Sequence, residues 1–261
     1  MKNIVLAGFH AVGARLRMDP KSISAVYLDP ERRDKRMREM REKLIAAGVR
    51  VMTADNRRLD GMAPDVPHQG IVAMAEEKQA QRTSGKAARR ALSPEQRAAA
   101  NAALCARLWQ LDAVQNAQTI LLYAAFGGEA GLAGFADEAA RRGKVLAYPV
   151  CGENCSLTAA VPGPDGWETG LYGIRTPVLE RSVLLEPEQL DLVLVPCTAF
   201  DADCFRVGMG KGYYDRYLPR CTKAAKIGIA LEVQRVAHAA VDEHDQRLDA
   251  FVTERGLYTW T

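Results

Sequence analysis

From Arg206 to Asp215 the chain reads Arg-Val-Gly-Met-Gly-Lys-Gly-Tyr-Tyr-Asp. Gly208, Gly210 and Gly212 stand at alternate positions and let the backbone come close to an anion with successive N–H groups turned toward it. Arg206 and Lys211 add mobile positive charge, so a phosphate is the ligand this chemistry suits. The apolar run Leu192–Pro196 before the loop has the composition of a buried strand, and residues 214–218 after it have a helical pattern. Strand, glycine turn and helix start form the setting in which a backbone binds a nucleotide. The same stretch could be a glycine-rich turn without a ligand, because it matches neither a Walker A loop nor the dinucleotide fingerprint.

The elements that must position this loop alternate in type. Ser93-Pro94-Glu95-Gln96 predicts a helix start, with Ser93 as N-cap, Pro94 in the first turn and Gln96 closing a capping box. Leu104, Leu108 and Leu111 supply its apolar stripe. A strand over 119–123, the turn Gly127-Gly128-Glu129, a helix over 135–142 and a strand over 145–149 follow. Short strands and turns fill 156–190, and two further strands lie at 227–231 and 251–253. This order predicts an α/β fold with an open, mostly parallel sheet covered by helices.

Ahead of this part lies a smaller α/β pattern. Strands are expected at 3–6, 24–28, 49–52 and 68–74, with helices at 10–16 and 31–47, the second capped by Gly48. Met37, Met40, Leu44 and Ile45 form one stripe of the longer helix. Its i, i+4 charges, Glu31 with Lys35, Asp34 with Arg38 and Glu39 with Lys43, form a solvated face.

The chain has 261 residues, 48% hydrophobic and 26% charged, which suits one large or two modest globular domains. No apolar run is long enough to span a bilayer and no secretory pattern opens the chain, so a cytoplasmic location without a membrane partner is expected. Six cysteines are scattered, and Cys151 with Cys155 lacks the second pair a metal site would need, so reduced structural thiols are expected.

Residues 78–92 carry five basic groups and no acidic one, which marks a boundary and divides the chain into 1–77 and 78–261. If 78–90 is helical, Lys78, Arg82, Lys86 and Arg89 share one face and would suit a polyphosphate or nucleic acid. A flexible basic linker, with Thr83-Ser84-Gly85 in its middle, is the other reading.

Two resemblances follow from these motifs. Gly8-Phe9-His10-Ala11-Val12, the strand and helix order, and His68-Gln69-Gly70-Ile71-Val72-Ala73 resemble the substrate-binding domain that precedes SPOUT-type RNA 2′-O-ribose methyltransferases. The resemblance implies a small amino-terminal L30e-like α/β domain that holds RNA, with His10 and His68 serving either RNA contact or turn packing. Nothing in 78–261 resembles the methyltransferase domain that would follow, so methyl transfer is not expected.

The second resemblance covers 78–256 and is to the 5-formyltetrahydrofolate cyclo-ligase family, also called methenyltetrahydrofolate synthetases. Lys78, Arg82, Arg89, Leu92 and Ser93 match its opening, and Phe126-Gly127-Gly128-Glu129 its glycine-glycine-glutamate turn. Residues 191–196, Phe200-Asp201 and 206–215 match its longest motif. Glu243-His244-Asp245, Asp249 and Val252-Thr253-Glu254 match its carboxy-terminal signature.

The resemblance implies ATP- and Mg²⁺-dependent closure of 5-formyltetrahydrofolate, with or without a polyglutamate tail, to 5,10-methenyltetrahydrofolate. It places ATP among Lys78, Arg82, Arg206, Gly208, Gly210, Lys211, Gly212 and Tyr214, with Arg206 and Lys211 catalytic. It sets the folate against Glu129 and Tyr213, and Mg²⁺ on Asp215 and Asp245, in a monomer or weak oligomer. An RNA-binding protein with an inactive or regulatory ligase-like part is the rival reading. Departures from the family pattern are Ala130-Gly131-Leu132 for valine, aspartate and threonine, Cys204 for a glycine, Thr176 for a glutamate, and Gln81 and Gly85 in the first basic helix.

Overall fold

The computed structural model describes residues 3–64, 66–242 and 245–260, apart from the side chains of Met18 and Tyr172. It divides into two compact units, Met1–Thr83 and Ser84–Thr261.

The first unit runs β1 (Asn3–Ala7), α1 (Gly8–Met18), β2 (Ile23–Leu28), α2 (Lys35–Ala46), β3 (Val51–Thr53), α3 (Asn56–Met62) and β4 (Ile71–Glu76). Its sheet has the order β1-β4-β2-β3, with β4 antiparallel to both neighbours and β3 parallel to β2. Phe9, Val12, Val26, Leu44 and Ile71 are buried between sheet and helices.

Local chemistry moves several boundaries from their expected places. Helix α2 begins at Lys35, not at residue 31, because the Asp34 carboxylate accepts the Met37 N–H at 3.0 Å and caps it there. The exposed ion pairs near it are Arg32 with Asp34 and Lys35 with Glu39, a different set from the one its spacing suggested. Strand β4 starts late because Gln69 and Gly70 are left-handed, at φ 53° and 77°, in a turn tied by His68 Nδ1, which accepts the Gly70 N–H. Helix α3 has too short and too polar a pattern to be foreseen; its N-cap is Asp55.

Helix α4 (Glu77–Arg90) is continuous through the division between Thr83 and Ser84. The basic segment is therefore helical rather than a loose linker. Lys78 and Arg82 fall in the first unit, Lys86 and Arg89 in the second. Arg89 does not join a solvated row, because it is 2% exposed.

The second unit continues with α5 (Pro94–Leu108), α6 (Asp112–Asn116), β5 (Thr119–Leu121), α7 (Ala133–Arg141), β6 (Val145–Cys151), β7 (Leu157–Pro162), β8 (Trp167–Thr169), β9 (Arg175–Pro177) and β10 (Ser182–Leu185). Then come β11 (Leu192–Pro196), β12 (Ala199–Phe200), β13 (Arg206–Val207), α8 (Tyr213–Tyr217), β14 (Ala225–Ile229), β15 (Ala250–Val252) and β16 (Leu257–Thr259). The Ser93 capping box forms as the sequence predicts, with both reciprocal hydrogen bonds present.

The large sheet has the order β10-β7-β6-β5-β11-β14-β15-β16. From β6 to β15 neighbouring strands are parallel, and antiparallel strands close both ends. Residues of β11 alternate between two cores, as a strand buried on both faces must. Leu192 and Leu194 pack with Leu104 and Leu108 of α5 and Phe135 of α7. Val193 and Val195 pack with Tyr217 of α8 and with Phe251. Gly228 in β14 is required by a close approach, since a Cβ there would lie 2.3 Å from the Phe251 ring.

Candidate active site

Strand β5 lies between β6 and β11, so the connection leaving β5 and the segment leaving β11 turn to opposite sides and open a crevice at the carboxyl ends of the strands. The loop after β5 carries Gly127-Gly128-Glu129, with both glycines left-handed at φ 57° and 83°. Hydrogen bonds within and around it close it. The Tyr123 hydroxyl donates to Ala130 O at 2.7 Å, the Gly131 N–H to Asn101 Oδ1 at 2.9 Å, and the Phe126 N–H to Glu129 Oε2 at 3.1 Å. The Glu129 side chain keeps 12% of its exposure. Burial pushes its carboxyl above the usual carboxylate range, opposed by the Phe126 N–H and by the charges of Arg89 and Lys86.

Arg89 ties this loop to the end of β11. Its Nε donates to Gly127 O at 3.1 Å and its Nη1 to Cys197 O at 3.3 Å, with Glu129 Oε1 3.8 Å from Nη1. Gln234 Nε2 also donates to Cys197 O, at 2.9 Å, and to Thr198 O at 3.2 Å. Burial pushes the Cys197 thiol up to about 12, which marks it as an inert core residue.

The glycine loop does not follow β11 directly, as the sequence suggested. A short hairpin of β12 and β13 intervenes, in which Thr198 Oγ1 donates to Val207 O at 2.7 Å. Gly210 and Gly212 need their glycines, at φ 95° and 72°, whereas Gly208 has φ below zero and open space around its Cβ position. Arg206, expected as mobile charge, is 3% exposed and fixed. Its Nη2 pairs with Asp215 Oδ1 at 2.7 Å and its Nη1 donates to Gln246 O at 3.0 Å. Lys211 is exposed. Arg216 Nη1 holds the loop from behind by donating to Lys211 O at 3.1 Å and Gly212 O at 3.2 Å.

Tyr213 and Tyr214 open helix α8. The side chain of Tyr213 hydrogen-bonds the Cys151 thiol at the end of β6. The Tyr214 hydroxyl is buried, has no hydrogen-bond partner among the described residues, and lies in the electrostatic reach of Glu129, Cys151 and Arg206. The structure thus gathers Glu129, Tyr213, Tyr214, Arg206 and Asp215 in the second unit.

Asp245 Oδ2 accepts the Asp242 N–H at 2.6 Å, while Glu243 and His244 lie outside the described residues. Among the described residues no group of three or more His, Cys, Asp or Glu forms a metal cage. Asp215 and Asp245 offer the oxygen ligands that Mg²⁺ takes alongside waters and phosphate, with Asp215 Oδ1 already engaged by Arg206 Nη2 at 2.7 Å.

Other motif residues build the frame. Both Asp201 carboxylate oxygens accept backbone N–H groups, from Phe205 at 3.0 Å and Ala239 at 2.8 Å. Asp249 accepts the Lys226 N–H at 2.7 Å, and buried Thr253 donates to Glu232 at 2.8 Å. Cys204 sits at φ 64°, a left-handed position that favours the glycine it replaces. Sequence reasoning placed Arg89 on a basic face for polyphosphate and Cys151 among the structural thiols, and assigned no role to Gln234. Arg89 carried a signal in its place within the opening motif, and Gln234 carried none.

A parallel sheet with helices on both faces and a crevice at its switch point defines an open-sheet α/β protein with its site at the carboxyl ends of the strands. Residues 74–254 match the 5-formyltetrahydrofolate cyclo-ligase family, and the chain belongs to that family. It is 30% identical over 178 residues to the 5-formyltetrahydrofolate cyclo-ligase of Escherichia coli K12, covering 66% of this chain and 97% of that one. The solved 5,10-methenyltetrahydrofolate synthetase of Aquifex aeolicus superposes with a TM-score of 0.63 at 30% identity, over 70% of this chain and 93% of that one.

Residues 5–81 match a second family, RNA 2′-O ribose methyltransferase substrate binding. Over 75 residues the chain is 52% identical to the 23S rRNA (guanosine-2′-O-)-methyltransferase RlmB of Ralstonia nicotianae, covering 29% of this chain and 30% of that one. The chain therefore spans about 30% of the length of the methyltransferases it matches.

Proposed function

We propose that the chain converts 5-formyltetrahydrofolate and ATP to 5,10-methenyltetrahydrofolate, ADP and phosphate. The observation that carries this reading is that Arg89 ties the Glu129 loop after β5 to the end of β11, and Thr198 there holds Val207 at the start of the glycine loop. A phosphoryl acceptor and a phosphoryl donor must be held side by side, and these loops offer one surface for each. In the overall reaction the γ-phosphoryl passes to the formyl oxygen, N10 closes on the activated carbon, and phosphate leaves.

Lys211, exposed on its loop, supplies mobile positive charge to the phosphates, and the backbone of Gly208, Gly210 and Gly212 supplies N–H groups. Arg206, pinned by Asp215, supplies a fixed charge beneath them. Glu129 accepts hydrogen bonds from the pterin ring, and Tyr213 gives it a flat neighbour. Asp215 and Asp245 would hold Mg²⁺, which neutralises phosphate charge when bound.

Purified protein with ATP, Mg²⁺ and 5-formyltetrahydrofolate should develop the methenyl absorbance band, and its absence refutes the reading. Lys211→Ala should lower turnover by at least about a hundredfold with an unchanged melting temperature. Near-normal turnover would remove Lys211 from the mechanism.

The first unit supports a second reading, that the chain also associates with RNA. The observation in favour is the Phe9 ring, buried under the guanidinium groups of Arg32 at 4.8 Å and Arg36 at 4.5 Å, which holds two cations together at the surface of that unit.

A further inference from the structure

Arg89 is a charge that nothing in the folding of α4 requires to be buried. A leucine or methionine would fill the same space without the several kcal/mol that removing a guanidinium from water costs. Its acceptors explain the arginine. Gly127 O belongs to the loop after β5, Cys197 O to the end of β11, and Glu129 Oε1 stands 3.8 Å away. One planar fork donates to both carbonyls from different nitrogens and still keeps its charge beside Glu129, a geometry that a compact ammonium does not reproduce.

Each side also has ties of its own. The end of β11 has a second tie, from Gln234 to Cys197 O and Thr198 O. The turn of Gly127 and Gly128 instead rests on the last turn of α4. A Cβ at Gly128 would lie 3.7 Å from Arg89 Cγ and 2.6 Å from Arg97 Nη1, and Arg97 Nη2 itself donates to Arg89 O at 3.3 Å. We propose that Arg89 is a positioning residue for the folate half of the site: it fastens the β5 loop to the end of β11 and so fixes where the Glu129 carboxylate stands. This rests on the reading of Glu129 as a folate contact. The groups that surround Glu129 are Arg89 and Lys86 on α4, the Phe126 N–H in its own loop, Tyr123 after β5, Cys197 after β11 and Tyr214 on α8.

The test uses the full chain as wild type, Arg89→Lys, Glu129→Gln and the double variant. KM for 5-formyltetrahydrofolate and for ATP, kcat, and amide hydrogen exchange over 126–130 are measured in each. Arg89→Lys keeps the charge and loses the fork, so KM for the folate should rise about tenfold while KM for ATP stays within about twofold. In the Glu129→Gln background the same change should add less than about twofold, because the arginine acts through that carboxylate. Exchange over 126–130 should quicken at least about tenfold in Arg89→Lys. Equal rises in both KM values, additive effects in the double variant, or unchanged exchange would each overturn the proposal. If wild type shows no turnover, the functional reading fails, and the exchange measurement alone decides whether Arg89 fastens the loop. Should Arg89→Lys melt far below wild type, Arg89→Gln, which keeps a planar donor without the charge, repeats the exchange and KM tests with the same outcomes.

Discussion

Arg206 and Lys211 lie in one loop and differ in every physical respect that matters to an anion. Arg206 is buried, bound by Asp215 and Gln246, and cannot move toward a ligand, whereas Lys211 is exposed on a flexible stem. One gives a constant field and the other a charge that can follow the phosphate. Glu129 adds a pH dependence. Burial raises its carboxyl, so the folded protein holds that proton more tightly than the unfolded chain does. The cost to stability is absent below the unfolded value, where both states hold the proton, and grows as pH rises through the folded one. Replacing the group by Gln, which can still accept the Phe126 N–H, should leave stability unchanged at low pH. As pH rises above the ordinary carboxylate range, Glu129→Gln should melt higher than wild type by a widening margin. A constant difference across that rise would mean that the carboxyl is not desolvated.

At the scale of elements, α4 is where sequence and structure part most. Gly85 in its middle looks like a helix breaker, and an isolated helix would gain about 1 kcal/mol from Ala there. In the fold a Cβ at Gly85 would lie 1.8 Å from Thr198 O and 2.8 Å from its carbonyl carbon, both backbone atoms that cannot step aside. Gly85→Ala should therefore destabilise by about 1–3 kcal/mol, the sign opposite to helix propensity, in denaturant unfolding. A stabilised variant would mean that α4 does not approach β11 closely.

That Glu129 and Lys211 stand in loops was legible because each has glycines beside it, and the structure holds those glycines left-handed. The capping box at Ser93 and the strand at β11 were legible for local reasons too. Arg89 was not, since a cation on a helical face looks alike whether it faces water or a loop more than thirty residues away in sequence. Leu132 shows a similar limit. It is the N-cap of α7 without a side-chain bond, where the family's threonine could cap. Its burial at 4% exposure, worth about 1.5–3 kcal/mol for a full leucine side chain, outweighs a cap of about 1 kcal/mol.

At the scale of the molecule, two families meet in one helix, because the matches at 5–81 and 74–254 overlap at the start of α4. If the first unit holds RNA through Arg32 and Arg36, binding of the full chain to ribosomal RNA should fall more than tenfold between about 50 and 200 mM salt. Arg32→Ala with Arg36→Ala should flatten that slope. Absence of binding at low salt would leave the first unit without an RNA role.

The order of the large sheet has a kinetic consequence. Strand β11 pairs with β5 on one side and β14 on the other, yet it is made long after β5, β6 and β7. During synthesis the β5 edge and its apolar neighbours stay open until Leu192–Pro196 leaves the ribosome, an exposure that invites pairing with another chain. The strand that carries the crevice is thus also the one on which completion of the fold waits.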